Sequence, residues 1–224
     1  MSLAGASVIA IWNDITDEGR QNFYQWHDRE HIPERVGIEG FLRGRRYIAV
    51  SGAPEFLTLY EVRDHAVLSG KSYLERLNNP TEWTTRSVRH FRNVSRSLCA
   101  VEYSVGKGSG GIVGTVYFDC APEHDTTLLD RLAQRTLPTL LEAPGMVAAH
   151  VCRADVEASK AKTTEQRGRP DNLVPRWVIL LEGAASAAIE AALSAELGPA
   201  AFAESGVAHA AHGVYRLEYD LLKA

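Results

Sequence analysis

Cysteine is scarce in this chain of 224 residues: there are three, Cys99, Cys120 and Cys152. Their odd number, wide spacing and apolar neighbours argue against a disulfide framework. They read as buried thiols in a reducing, cytoplasmic setting. Long apolar runs are also missing. The stretch "WVILL" from Trp177 is far too short for a bilayer, which takes about 20 apolar residues. The opening "MSLAGAS" has neither the basic start nor the apolar stretch of a secretory signal. Basic charge is not in excess: the formal net charge is -4 with both signs mixed. No membrane or nucleic-acid partner is therefore expected. There is no G-x-S-x-G and no cysteine beside a histidine, so nucleophilic catalysis has little support. "GKGSGG", residues 106–111, lacks the spacing of a phosphate-binding loop and reads as a linker.

What is present is 45% hydrophobic sequence, enough for one large or two small domains. One pattern occurs twice. "HIPERVGIEGFLRGRRY" is followed later by "TLPTLLEAPGMVAAHVC". An offset of 105 places Pro33 on Pro138, Gly40 on Gly145, Asp14 on Asp119 and Trp12 on Tyr117. "LYEV" (59–62) meets "LLEG" (180–183) at 121, and "VEYS" (101–104) meets "LEYD" (217–220) at 116. The larger offset implies 16 extra residues in the second half. The polar segment 157–175 is the place for them. With so few large apolar groups it is expected to be a mobile, disordered-like loop.

Each half reads in one order. A strand ("VIAIW" from Val8; "IVGTVYF" from Ile112) leads into a helix, capped by Thr16 in the first half and by Asp125 or Thr126 in the second. Proline near the helix end, then glycine, turns the chain into a second strand, Leu42–Val50 or Val147–Arg153. The strands "EFLTLYEV" and "RWVILLEG" follow, then a second helical region. In the first half Pro80 divides that region into Asp64–Asn78 and Thr81–Asn93; in the second it is "SAAIEAALSAEL". Final strands lie near Leu98–Val105 and Val214–Leu221. The order βαββαβ, twice, is a split βαβ, ferredoxin-like unit. Boundaries fall at 1–106 and 107–224. The strands are apolar at odd and even positions alike, so both sheet faces are buried. Helices cover one face and the other half's sheet covers the second. The fold class is α+β, an α/β barrel of antiparallel sheets.

"WHDREHIPE", residues 26–34, carries the chemistry. His27 and His31 share a helix face, with Phe23 below and Glu34 nearby. The second half acts as a control: His27 falls on Leu132, Glu30 on Arg135 and His31 on Thr136. Framework proline and glycine persist; the titratable residues do not. "HDREH" formally fits the H-x-x-E-H spacing of inverted zinc peptidases. A zinc site needs at least three protein ligands and this pattern supplies two, so no metal is expected. Proton transfer fits better, with His31 as acid/base at a helix end and His27 adjusting its charge or binding substrate. The competing reading makes both half-exposed polar residues at a pocket mouth.

Other wall residues follow from spacing. Trp83, Arg86 and His90 recur at helical intervals and could hold an aromatic or carboxylate-bearing molecule. The bland alternative is a solvated basic face. Trp12 and Asn13 point to opposite faces of the first strand, so at most one enters the barrel. Tyr60 on the third strand is a further candidate.

"WHDREHIPE" with "GFLRGRRY" resembles the dimeric α/β-barrel superfamily, most closely its EthD-like branch, where an H-x-x-x-H-I-P run closes the first helix. Here that run is His27, His31, Ile32 and Pro33. Members usually pair two single-repeat chains; this chain resembles a fusion supplying both halves. Further pairing into a homodimer stays open. The superfamily includes cofactor-free monooxygenases, cyclases, isomerases, haem-degrading and haem-binding proteins, and the EthD-like branch is associated with degradation of small organic compounds. The resulting expectation is a small-molecule-binding protein with a pocket between the first helix and its sheet. If enzymatic, it would act without a bound cofactor, by proton transfer or oxygen-dependent chemistry on a hydrophobic or aromatic metabolite. The alternatives are a non-catalytic assembly module with its histidines at a subunit contact, and a haem binder.

Overall fold

A computed structural model describes residues 2–161, 163–165, 173–202 and 206–224. Eight strands form one closed antiparallel barrel in the order β1-β3-β2-β8-β5-β7-β6-β4. They are β1 (Ser7–Ile15), β2 (Phe41–Gly52), β3 (Phe56–Val62), β4 (Phe91–Gly106), β5 (Ile112–Cys120), β6 (Met146–Ala154), β7 (Trp177–Gly183) and β8 (Val207–Leu222). Each half contributes four neighbouring strands. The two sheets do not merely face each other: β2 pairs with β8 and β4 with β6, which closes the cylinder and removes its edges.

The register repeats between halves. In β1–β3, Ile9 faces Tyr60, Ile11 faces Thr58 and Asn13 faces Phe56. In β5–β7, Gly114 faces Leu181, Val116 faces Ile179 and Phe118 faces Trp177. These are the partners that offsets of 105 and 121 specify.

The first helix of each half departs from the expected form. Helix α1 spans residues 20–37, with a wide π turn at His27–His31 inside it, so it does not end at His31. The Ile32 N–H bonds the His27 carbonyl five residues back. Pro33 lacks an N–H and would clash with the carbonyl four residues earlier in a regular helix. The wider turn absorbs it. In the second half α4 spans 125–140, with its π turn at Leu132–Thr136 just before Pro138. Gly40 (φ 87°) and Gly145 (φ 90°) then take the left-handed turn into the next strand.

The remaining helices are α2 (Lys71–Asn78), α3 (Glu82–Ser87), α5 (Val156–Lys160), α6 (Ser186–Glu196) and α7 (Pro199–Phe202). The expected helix through Asn93 stops early, because strand β4 begins at Phe91. β4 and β8 run 16 residues each. They must pair with one half along one stretch and the other half along the next. The proposed caps are used differently as well. The Thr16 hydroxyl bonds His90 Nδ1 (2.9 Å) and makes no bond to the helix. Asp125 binds Arg176 and the Trp177 indole. The segment expected as a loop at 157–175 starts inside α5, while residues 162 and 166–172 lie outside the described residues.

Alternate strand residues build two kinds of core. One set fills the barrel with Val8, Trp12, Tyr47, Leu59, Tyr117, Cys152, Leu180 and Tyr215 among others. At one end the filling is charged. Arg45 lies 2.8 Å from Glu61 and 3.3 Å from Glu182, and His150 lies 3.7 Å from Glu182. Ser2 bonds His150 (2.8 Å) and the Ala4 N–H donates to Glu61 (2.6 Å), stopping that end with the N-terminal segment. Burial alone would push the Glu182 carboxyl up. His150, the Arg45 charge and the Gly110 N–H outweigh it and hold it at about 2. The other strand faces meet the helices.

Candidate functional site

The outer face of the first half's sheet and helix α1 enclose a narrow cavity. Residues from β1, α1, β3, α2 and β4 line it, joined by Glu165 from the second half. Its volume is about 20 Å³, room for roughly one water. β1 supplies Ile9, Ile11 and Asn13, the face opposite Trp12, and β3 supplies Thr58 and Tyr60. Gly44 on β2 lets the helix approach, since a Cβ there would lie 2.7 Å from Ile32 Cγ2.

His27 and His31 both line the cavity and are 3% and 5% exposed. They are buried, not half-exposed at a mouth. Their rings stack at 5.5 Å with 17° between planes. The stack extends both ways: Phe23 lies 4.8 Å from His27, and Trp26 lies 4.2 Å from His31. Tyr60 presents an edge to His31 at 6.5 Å. The Arg46 guanidinium lies 3.4 Å from His27 Nδ1, over the Tyr24 ring, and pairs with Asp28 and Glu218. A guanidinium only donates, so this contact makes Nδ1 the acceptor and leaves the ring proton on Nε2. Glu30 turns the other way, accepting from the Thr81 hydroxyl at 2.6 Å and so fixing the start of α3.

Asn13 and Tyr60 line the cavity. Trp12 does not: it fills the barrel, 4.8 Å from Tyr117. Trp83, Arg86 and His90 lie outside the lining. The Trp83 indole donates to Asn22 (2.8 Å), Arg86 is exposed, and His90 ties Thr16 to the start of β4. They do not share a helix face, because α3 ends at Ser87.

Spacing missed Arg35, Tyr73, Arg96 and Glu165. Arg35 continues the stripe of His27 and His31, a signal that was available. Arg96 alternates with Val94 and Leu98 on one face of β4. It donates to the Tyr73 hydroxyl at 2.7 Å. Arg35 and Arg96 are 3% and 4% exposed. Burial would lower the Arg35 pKa, but Glu165, Tyr73, Tyr60 and Glu34 outweigh it and keep the guanidinium charged. Glu165 lies in a polar segment with no pattern of its own, so nothing in the sequence marked it.

Among the described residues, no group of three or more His, Cys, Asp and Glu side chains is arranged around a metal position. As it stands the cavity admits about one water, so a porphyrin could enter only if α1 moved off the sheet. Both imidazoles are covered within the chain, which removes them from any subunit contact in this arrangement. Among the described residues no helix is long and apolar enough to cross a membrane.

Solved structures match nearly the whole chain. An anthrone oxidase-like protein superposes with a TM-score of 0.69 at 14% identity, over 100% of this chain and 96% of that one. A candidate monooxygenase from Fusobacterium nucleatum gives 0.59 at 9% identity, covering 99% and 97%. A candidate chlorite dismutase gives 0.57 at 12%, covering 95% and 94%. No protein-family description matches the sequence, and no curated protein does. At such identities the likeness is one of architecture: the chain has the ferredoxin-like α+β barrel fold of the dimeric α/β-barrel proteins.

Proposed function

We propose that this protein binds a hydrophobic or aromatic small molecule in the cavity beneath α1 and acts on it by proton transfer, without a resident cofactor. His31 is the acid/base. His27, its Nδ1 accepting from Arg46, presents an Nε2–H donor beside it. Asn13 and Tyr60 supply further polar groups on the sheet side. The carrying observation is that Asn13, His27 and Tyr60 stand buried where the second half places Phe118, Leu132 and Leu181, and that the buried imidazole of His31 stands where it places Thr136. Burying such groups costs stability, so a fold that works without them keeps them for another purpose. The names of the structural neighbours, anthrone oxidase-like and monooxygenase, support oxygen-dependent chemistry on an aromatic substrate as the outcome of that proton removal. On this reading residues 1–106 and 107–224 are two copies of one unit fused in a chain. The first keeps the site, in the manner of the EthD-like branch.

The test is mass spectrometry of compounds carried through purification, followed by binding and turnover of the compound found. His31→Ala is expected to lower turnover by about a hundredfold, the usual size of general acid–base catalysis. Turnover and binding untouched by His31→Ala would end the assignment.

A further inference from the structure

Glu165 is the odd member of the lining. Among the described residues it is the one cavity-lining residue that lies in neither a helix nor a strand. It comes from the second half, within the extra residues that the first half lacks. Its carboxylate pairs with Arg35 Nη2 inside the cavity and is 6% exposed. Its N–H donates to the Leu77 carbonyl at 3.1 Å, and the Thr164 N–H donates to the Asn78 side-chain oxygen at 3.3 Å. Both acceptors belong to the end of α2. Glu34 holds the other side of Arg35 at 3.3 Å and is shared with Arg76 at 2.7 Å.

With Glu165 seated, the cavity holds about one water. A substrate needs more, so part of the wall must leave, and every other wall residue is fixed in regular structure. Withdrawal of Glu165 leaves a buried guanidinium short of its partner, which costs several kcal/mol unless another anion replaces it. Arg96 adds a second cationic wall residue. Resting on the ligand-binding reading above, we propose that Arg35 and Arg96 form an anion subsite for which Glu165 is the resident stand-in. The ligand class is then a small aromatic molecule bearing a carboxylate, which takes the place of Glu165 on Arg35 and lays its ring towards Tyr60 and His31.

The test is calorimetric titration with benzoate and with its neutral isostere benzamide. Glu165→Gln and Glu165→Ala should bind benzoate about tenfold tighter than the unaltered protein, since neither spends ligand affinity on expelling a carboxylate. Benzamide should gain less than twofold (about that, by the same argument). Adding Arg35→Gln should remove the gain. In the unaltered protein, saturating benzoate should speed amide exchange at Thr164 and Glu165, and benzamide should not. Equal gains for both compounds, or a gain that survives Arg35→Gln, or unchanged exchange under benzoate, would overturn the anion subsite alone and leave a neutral-ligand cavity. If no folded variant binds either compound, the anion subsite and the ligand-binding reading fall together.

Discussion

The two halves of the barrel share one frame and differ in what they enclose. At offsets of 105 and 121, Asn13 stands where the second half has Phe118, His27 where it has Leu132, and Arg35 where it has Leu140. Thr58 and Tyr60 match Ile179 and Leu181. All five second-half residues belong to one apolar core under α4 and α6. All five first-half residues line the cavity under α1. The π turn, the proline after it and the left-handed glycine occur in both. The frame is therefore indifferent to the imidazoles, and the polar filling of one half is an addition to folding, not a requirement of it.

Transplanting polarity should strain that comparison hardest. Leu140→Arg copies Arg35 into a site with no Glu165 or Glu34 to meet it. It is expected to cost about 4 kcal/mol in urea unfolding, the range for an uncompensated buried charge. A cost below about 1 kcal/mol would mean the second half is as tolerant of charge as the first.

The barrel's interior offers a second contrast. Arg45 and Glu61 correspond by offset to His150 and Glu182, and the four side chains meet at one end. The Glu182 pKa is depressed from 4.5 to about 2. Its stabilisation is therefore fully present above pH 4.5 and is lost as pH falls through 2. The amount is about 3 kcal/mol, measurable as unfolding midpoints between pH 7 and pH 2. Glu182→Gln should flatten that stretch of the profile. An unchanged slope would show that the cluster does not hold the carboxylate ionised.

The two left-handed glycines should separate more finely. Gly145→Ala is expected to cost about 1 kcal/mol from backbone strain alone. Gly40→Ala should cost about 2, because its new methyl would also lie 2.5 Å from Val67 Cγ2, whereas the nearest atom at Gly145 is Ala188 Cβ at 3.1 Å. Equal losses would show that Val67 yields freely.

The smallest expected effect is the most informative. Replacing His27 by Leu and His31 by Thr copies the second half into the first. The unfolding free energy should move by less than about 1 kcal/mol, because the burial cost saved at His27 offsets its lost contact with Arg46, which keeps Asp28 and Glu218, and Thr can be accommodated at position 31 as at 136. Ligand turnover should disappear. A loss of about 3 kcal/mol would make the imidazoles structural and undo the contrast.

Much of the frame was legible. The offsets read from Pro33/Pro138 and from "LYEV"/"LLEG" are the offsets of the strand registers, because a one-residue slip would exchange the side chains that fill the barrel with those that meet the helices. His27, His31, Asn13 and Tyr60 were legible as one neighbourhood, since helix period and strand parity both act locally. The errors arose where a local period was carried past its element. Trp83, Arg86 and His90 fit a helical repeat that the chain abandons after Ser87, as Phe91 enters a strand whose length is set by two different partners. Trp12 was one choice of two by parity, and packing against Tyr117 from the other half decided it.

The sequence by itself determined the βαββαβ order of each half, the residues that face the core, and the asymmetry between a first helix with two histidines and its second-half counterpart with none. These follow from periodicity and from steric limits on proline and glycine, which act over a few residues. Tertiary structure alone decided that the sheets join edge to edge, that Arg96 and Arg35 meet in one cavity, and that Glu165 reaches from the second half to seal the first. Those contacts join residues as far apart as Arg43 and Leu222, 179 positions along the chain. Hydrogen-bond saturation and charge compensation choose them among many chain paths, and no short-range pattern in the sequence records the choice.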